Sequence, residues 1–557
     1  MYVMQNLPWF ILFIGALILV HELGHFAVAK LIGIKVQTFS FGFGPKLFAV
    51  TLGETEYRLS AFLIGGYVKM LGEVPGTEIP PEDAPRAFSA KSVWQRSAVV
   101  LAGPFANFIL AWVVYFGLTV GTRTVDDTRL GIVSDREPAW EAGLRPGDRV
   151  LRVDGVPVRD WEELREAISE RPGASLHLAY ERDGQTIETV VVPRAQDEAN
   201  LFQELEKRGR VGISPHFVKA VVGVVDPESP AASAGVLTGD VVVQVSGRPV
   251  AAWHELRREL ARTPPAEPMR ITVERGNERL DFALTPSAAP AGLDLDLFSS
   301  ADVPGRYTGL VTKESMVTAV EPGTPAAGIG LSPGDRLLRL VIEKEGRRID
   351  RPIGVWGIDL LAFDGVDARS DFILTYQHGR EVISRPFKLE PKEEKDDLKN
   401  KRTRYVFGAM NDVQTRGKYT TLREIGVQEA MRLATRAVGA SATVVAKGIA
   451  KLAKREIPLE TMGGPIMLFQ IAAESAKQGI EYFLSTMALI SVNLGLLNLM
   501  PIPVLDGGHM LIFGIEAIRR RPPSLRFREV ANLIGLALLL LLMLLVFHND
   551  IRRLLLG

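Results

Sequence analysis

The sequence predicts a polytopic α-helical membrane protein with four transmembrane helices and a large α+β region between the second and the third. Four apolar runs are each long enough to cross about 30 Å of hydrocarbon. We place the four helices within residues 1–30, 94–121, 482–509 and 530–547. With 47% hydrophobic and 23% charged residues, the chain has the composition of a protein that combines membrane spans with soluble domains.

The overall composition narrows the function classes. Lys plus Arg number 65 and Asp plus Glu number 65, so no basic excess favours a nucleic-acid partner, and none is predicted. The chain has no cysteine, which excludes disulfides and Cys-ligated zinc. Histidine and carboxylate side chains are therefore the ligands available to a metal.

Basic residues in the short loops predict the orientation of the spans. They accumulate in the loop at 30–96 and again at 519–528. By the positive-inside rule, both loops face the cytoplasm. Both termini and the long stretch from 121 to 480 are then predicted to lie on the outer side.

The first apolar run contains His21, Glu22 and His25, the pattern His-Glu-x-x-His. Polar groups of this kind are costly inside a membrane and usually have a function there. The two histidines are four residues apart and share one helix face, so they can bind one Zn²⁺ while Glu22 reaches the attacking water.

A catalytic zinc usually takes three protein ligands, and Asp506 is the best candidate for the third. It follows Pro501 and Pro503, which break the helix and leave backbone groups that only a functional or water-lined site tolerates in a membrane. Gly507 and Gly508 permit a tight turn beside it. The first and third spans both run inward, so the motif and Asp506 both reach the cytoplasmic side.

The outer region contains a threefold repeat. A Pro-to-Gly spacing of five residues and a Gly-to-Asp spacing of five more recur in Pro138–Asp148, Pro230–Asp240 and Pro325–Asp335. The repeats resemble bacterial PDZ domains, with good matches at 130–194 and 211–286. The third, at 303–391, departs after Asp335, where charged residues replace a tight turn, and we carry no peptide-binding role onto it. PDZ domains bind an extended peptide at a sheet edge; the alternative is that they are spacers or steric filters.

An amphipathic helical region is predicted at 419–480. Its apolar stripe is compatible with packing on a soluble domain or with lying at the membrane interface. Asn107, a polar residue in the second span, is expected to form a hydrogen bond between helices, with substrate contact as the second possibility. We expect His509, beside Asp506, to be structural rather than a ligand.

Taken together, these motifs make the chain similar to the site-2 proteases of the RseP type, a family of intramembrane zinc metalloproteases. The similarity rests on the residues at 21–25, 65–68, 102–104, 107, 464–466, 491–495 and 498–509. It implies Zn²⁺ on His21, His25 and Asp506, with Glu22 as the catalytic acid–base. It further implies that Asn498 holds the substrate backbone, Asn493 being the weaker candidate.

The resemblance also implies a cellular role. The segment at 31–93 would be a β-loop that dips into the membrane. The substrates would be single-span membrane proteins, such as anti-sigma factors or remnant signal peptides, trimmed beforehand by another protease. The protein would lie in the bacterial inner membrane with its PDZ domains in the periplasm and its active site near the cytoplasm. The alternative from another class is a non-catalytic PDZ membrane scaffold.

Overall fold

The structure is a computed structural model that describes residues 2–74, 78–134, 137–199, 205–262, 264, 267–288, 306–344, 347–353, 370–395, 401–411 and 416–556. Parts of the predicted third repeat, at 303–305, 345–346 and 354–369, lie outside these ranges. The chain divides into two compact units. The helical unit comprises Met1–Arg123 and Glu424–Gly557, and the repeat unit comprises Thr124–Arg423.

The helical unit begins with two long helices that flank a β-hairpin. Helix α1 spans Tyr2–Leu31, strands β1 and β2 span Val36–Leu52 and Thr55–Met70, and helix α2 spans Val93–Thr119. Two 3₁₀ turns, Pro81–Arg86 and Phe88–Ala90, lead into α2. Ser92 caps the start of α2: its hydroxyl accepts a hydrogen bond from the backbone N–H of Gln95, and the side-chain oxygen of Gln95 accepts one from the backbone N–H of Ser92.

The repeat unit consists of short helices and antiparallel strands. Its first part contains β3 Gly121–Asp126, β4 Ile132–Val133, α3 Pro138–Glu141, β5 Arg149–Val153, β6 Val156–Pro157, α4 Trp161–Ser169, β7 Leu176–Arg182, β8 Gln185–Val191, β9 Arg194–Ala199, β10 Leu205–Arg210 and β11 Ile213–Ser214. The second part contains β12 His216–Val218, β13 Val222–Val224, α5 Pro230–Ala234, β14 Val241–Val245, β15 Arg248–Pro249, α6 Trp253–Arg262, β16 Met269–Arg275, β17 Glu278–Leu284 and β18 Leu310–Thr312. The third part contains β19 Ala319–Val320, α7 Pro325–Gly328, β20 Arg336–Lys344, β21 Arg347–Pro352, β22 Asp371–His378, β23 Glu381–Phe387, β24 Glu390–Lys395, β25 Lys401–Val406, β26 Ala409–Met410, β27 Arg416–Lys418 and β28 Thr420–Ile425.

Each of these three parts contains a four-stranded antiparallel sheet of the same order. The orders are β6-β5-β7-β8, β15-β14-β16-β17 and β21-β20-β22-β23. Each sheet has its own apolar core. The same backbone hydrogen bond also recurs, from the second residue of each short helix to a distant carbonyl: Ala139 to Val211, Ala231 to Thr308 and Ala326 to Phe407. The three parts are therefore structural repeats.

The aspartate of each Gly-Asp motif is buried and has the same two kinds of partner. Asp148, Asp240 and Asp335 each accept a hydrogen bond from the backbone three residues earlier, at 2.7–2.9 Å. Each also pairs with a basic side chain of the third strand of its sheet, namely Arg182, Arg275 and His378. A buried carboxylate needs such partners, so the motif is a determinant of the fold.

The third repeat differs from the others in one hairpin. The charged residues after Asp335 extend β20 and β21, which pair from Arg339 with Pro352 to Lys344 with Arg347. In the first two repeats the equivalent partner strands, β6 and β15, have only two residues each. The sheet order is nevertheless unchanged, because the strand that follows still pairs with β20.

The chain then returns to the helical unit. Helix α8 spans Val427–Ala453, α9 Pro465–Lys477, α10 Ile480–Asn498, α11 Asp506–Arg519 and α12 Leu525–Leu556, with a 3₁₀ turn at Leu459–Thr461. Helix α8 lies in the region predicted to be helical at 419–480, but the start of that prediction is wrong: Thr420–Ile425 is a strand, and the helix begins only after Gly426. It packs on α2 and α10 within its own unit, where Trp112 Nε1 donates to Thr435 Oγ1 at 3.0 Å and Val438 contacts the core of these helices.

Four helices of the described chain are long and apolar enough to cross a membrane: Met4–Leu31, Val93–Thr119, Ile480–Asn498 and Leu525–Leu555. The third ends at Asn498, before Pro501 and Pro503. Small residues let these helices approach closely, as they do in membrane proteins generally. A Cβ on Gly24 of α1 would stand 2.3 Å from the carbonyl oxygen of Ala102 in α2. Since Gly24 lies inside the His-Glu motif, this close contact brings the motif against α2.

Candidate metal centre

Three side chains that the sequence analysis singled out converge in the helical unit. The Nε2 atoms of His21 and His25 lie 3.2 Å apart, and the carboxylate of Asp506 lies 3.3 Å from the first and 3.6 Å from the second. Two ligands that are each 2.0–2.1 Å from a tetrahedral zinc ion lie about 3.3–3.4 Å apart. The two imidazoles and one carboxylate therefore fit zinc in both chemistry and spacing.

Helix α2 forms one wall of this centre. The Nδ1 atom of His25 lies 2.8 Å from the carbonyl oxygen of Val99, to which it donates when Nε2 is the ligand. One helical turn further on, a Cβ at Gly103 would stand 2.3 Å from Nε2 of His25 and 2.9 Å from Cε1 of His21. Glycine is required there because any side chain would occupy the space between the two imidazoles.

Asp506 is the first residue of α11 and follows a strained loop. Val504 has φ of 87°, a left-handed conformation that is a true outlier for a β-branched residue. A Cβ on Gly507 or Gly508 would stand 2.2–2.3 Å from carbonyl oxygens of Leu499 and Ile502. The loop therefore folds tightly on itself, and strain of this kind is typical of functional sites.

A buried ion pair holds α11 against α2, and the sequence analysis missed it. Arg96 donates to both carboxylate oxygens of Glu516, at 2.6 and 3.3 Å, and its guanidinium lies over the ring of Phe513. The two charged side chains are only 9% and 11% exposed. Since Glu516 and Asp506 lie on the same helix, the pair helps to position Asp506, the candidate third ligand. The sequence did contain a signal for this pair, because each partner is a charged residue inside or beside an apolar segment.

Glu22 lies between α1 and the β-hairpin. A Cβ on Gly66 of β2 would stand 3.0 Å from Cγ of Glu22, so the strand passes directly beside this side chain. The carboxylate interacts electrostatically with His21 and Asp506. Glu22 thus lies beside β2 and close enough to His21 and Asp506 to interact with their charges.

The two asparagines of α10 that were predicted to hold the substrate differ in their distance from the site. The amide nitrogen of Asn498 lies 3.3 Å from Nε2 and 3.5 Å from Nδ1 of His21. Asn493 forms no hydrogen bond with the site in the part of the chain that the structure describes. It precedes Asn498 by five residues, which places it roughly 140° away around the helix. The geometry therefore favours Asn498 as the residue at the site.

The structure also shows the contacts of Asn107 and His509, which the sequence analysis discussed. Asn107 of α2 contacts His21 of α1, with its amide nitrogen 3.1 Å from Nδ1, which is the interhelical hydrogen bond that the sequence suggested. His509 lies near the ring of Phe513. Within the described residues, the group of potential ligands consists of His21, His25 and Asp506, without His509.

Comparison with known proteins gives the same picture over the whole chain. The model of peptidase family M50 matches residues 9–542. The RseP regulator of sigma-E protease of Escherichia coli is 30% identical over 568 residues, covering 99% of both chains. The corresponding protein of Salmonella typhimurium is 29% identical over 570 residues, again with 99% of both chains. A Neisseria meningitidis relative whose name describes a zinc metalloprotease is 27% identical over 557 residues, covering 99% of this chain and 100% of its own.

Among solved structures, the PDZ domain of an SdrC-like protein from Listeria monocytogenes covers 16% of this chain and 86% of its own. Its identity is 19% and its TM-score is 0.13, so the equivalence of the repeats rests on their shared sheet order and hydrogen bonds instead. The family match, by contrast, extends from α1 into α12 and includes all three candidate ligands. The chain therefore belongs to peptidase family M50 and is a membrane-associated zinc metalloprotease of the RseP type.

Proposed function

We propose that this metalloprotease hydrolyses peptide bonds within or near the transmembrane segment of single-span membrane proteins. The observation that carries the proposal is the position of the ligands. His21 and His25 lie inside an apolar helix long enough to span a membrane, and Asp506 follows the end of another. A site built in this way is within reach of a peptide bond in the bilayer, where soluble proteases have no access.

Each residue has a role in this reaction. His21, His25 and Asp506 would hold the zinc, which would supply Lewis-acid chemistry for the scissile carbonyl and the attacking water. Glu22 takes the proton from the attacking water and delivers it to the leaving amine. Asn498, whose amide faces the ligands, donates a hydrogen bond to the substrate backbone.

A helical substrate must unwind before it can be cut, because its backbone groups are hydrogen-bonded within the helix. The β1–β2 hairpin forms a two-stranded sheet among the described residues, and Gly66 of β2 lies against Glu22. An edge of this sheet accepts the unwound segment as an added strand. Backbone hydrogen bonds then replace those lost from the substrate helix.

We further propose that this reaction belongs to regulated proteolysis. The three repeats are PDZ domains that act as a size filter, so that a substrate is cut only after another protease has removed its outer domain. Both termini and the repeats lie in the periplasm of an inner-membrane protein, and the zinc lies near the cytoplasmic side. Anti-sigma factors and remnant signal peptides have the single-span form that this arrangement requires.

The central test compares two variants on a model single-span substrate in proteoliposomes. Glu22→Gln keeps all three ligands, so we expect zinc content to be unchanged while cleavage falls by about 10²-fold to 10⁴-fold. His21→Ala, the control, should lose both zinc and cleavage. Cleavage by Glu22→Gln at the wild-type rate would contradict the mechanism.

The size filter needs a separate test. Removing residues 130–391 should permit cleavage of untrimmed substrates as well as trimmed ones. The comparison is made with one substrate in its full and shortened forms. Unchanged preference for the trimmed form would show that the repeats do not act as a filter.

A further inference from the structure

Three residues on one face of α2 lie alongside the His-Glu motif of α1. Val99, Gly103 and Asn107 are four residues apart in sequence, and each contacts a ligand histidine. The carbonyl of Val99 lies beside His25, Gly103 leaves room for both rings, and the amide of Asn107 lies beside His21. Val99 and Asn107 thus each contact the Nδ1 atom of one histidine. Nδ1 is the ring nitrogen that faces away from the other ligands.

Whether Nδ1 carries the ring hydrogen decides whether Nε2 can bind a metal. A neutral imidazole has one N–H and one lone pair, so a ring that binds zinc through Nε2 carries its hydrogen on Nδ1. Metal-binding histidines almost always donate this hydrogen to an acceptor, which fixes the ring in place. Val99 supplies such an acceptor to His25. His21 needs one as well.

Asn107 is the residue placed to supply it. Its side chain is fully buried, and its amide is 3.1 Å from Nδ1 of His21, closer than the 3.5 Å of Asn498. No donor among the described residues reaches its Oδ1. A half-turn of the carboxamide exchanges its oxygen and nitrogen, which have nearly the same shape. The oxygen then accepts from Nδ1–H, and this otherwise unpaired acceptor gains a partner.

We propose that Asn107 is a positioning residue for zinc: its side-chain oxygen accepts the Nδ1 hydrogen of His21 and thereby presents the lone pair of Nε2 to the metal. The backbone of Asn107 is held independently, since Ser491 of α10 donates to its carbonyl oxygen at 2.8 Å. Helix α2 already fixes this backbone, so the carboxamide keeps its place even without the bond from Ser491. This inference rests on the proposed metal centre and adds to it the residue that orients one ligand.

The test measures zinc affinity rather than cleavage, with the full-length protein in detergent and a competing chelator. Asn107→Leu has nearly the same shape but no acceptor, and Asn107→Ala is a smaller variant of the same kind. Loss of the acceptor should raise the zinc dissociation constant about 10-fold to 100-fold. Asn107→Asp keeps an acceptor oxygen and should bind zinc nearly as the wild type does.

Ser491→Ala is the matched control, because it removes the hydrogen bond to the backbone of Asn107 and leaves the carboxamide intact. We expect it to bind zinc as the wild type does. Wild-type affinity in Asn107→Leu or Asn107→Ala would overturn the inference, as would an equal loss in Asn107→Asp. His21→Ala separates this failure from that of the metal centre: if it too retains zinc, the ligand assignment itself is wrong.

Discussion

Gly103 lies so close to His25 that a Cβ on it would stand 2.3 Å from the Nε2 atom of that histidine. Gly103→Ala should therefore displace the ligand and weaken zinc binding by at least about 10-fold. Gly117→Ala on the same helix is the control, because a Cβ there would enter open space among the described residues. Zinc content and chelator competition give the readout. Equal zinc affinity in the two variants would contradict the close contact.

The ion pair of Arg96 with Glu516 should determine the stability of the helical unit. Among the described residues, Arg96→Ala leaves the buried carboxylate with only the more distant Arg528, 3.5 Å away, so we expect a loss of up to about 3–5 kcal/mol. The double variant Arg96→Met with Glu516→Met removes both charges and should recover most of this loss. Thermal unfolding of the three proteins checks the order, and a double variant no more stable than Arg96→Ala would contradict it.

Asn498 should contribute to the reaction without holding the metal. Asn498→Ala removes one hydrogen-bond donor beside His21, and we expect a loss on the order of 100-fold in kcat/KM with unchanged zinc content. Asn493→Ala is the comparison, since this residue forms no hydrogen bond with the site among the described residues. A larger loss in Asn493→Ala would reverse the assignment that the geometry favours.

His254 in the repeat unit should make stability depend on pH. Burial lowers the pKa of His254 to about 4, and its ring lies 3.4 Å from the hydroxyl of Tyr419. The unfolded chain takes up this proton near pH 6.5, whereas the folded chain does so only near pH 4. The free energy of unfolding therefore falls as the pH drops from 6.5 to 4, by at most about 3 kcal/mol.

His254→Phe is the control for this effect, because it keeps an aromatic ring and removes the titrating group. Melting temperatures of the full-length protein at pH 7 and pH 5 give the comparison. The variant should lose less stability between the two values than the wild type does. Equal losses would show that other groups cause the pH dependence.

Much of this protein is specified by local patterns in its sequence. Apolar runs of sufficient length predict the four helices that can span a membrane, and a fixed Pro-Gly-Asp spacing predicts three repeats, the third of them divergent. The structure shows that the third sheet has the same order as the other two. The His-Glu motif is equally local, since two histidines four residues apart must share a helix face. Asp506 could be found because the prolines and glycines around it already predict a broken helix.

The surroundings of the metal centre were decided only by the tertiary structure. Arg96 and Glu516 are 420 residues apart, and no local pattern connects them. The same holds for Gly103, which reads as an ordinary helix glycine until α1 packs against it, and for Asn107, which needs the ring of His21 to have a role. Periodicity and spacing are properties of neighbouring residues, and they determined the helices, the repeats and the ligand types. Which side chains support those ligands depends on how distant helices pack, and that is a property of the folded chain alone.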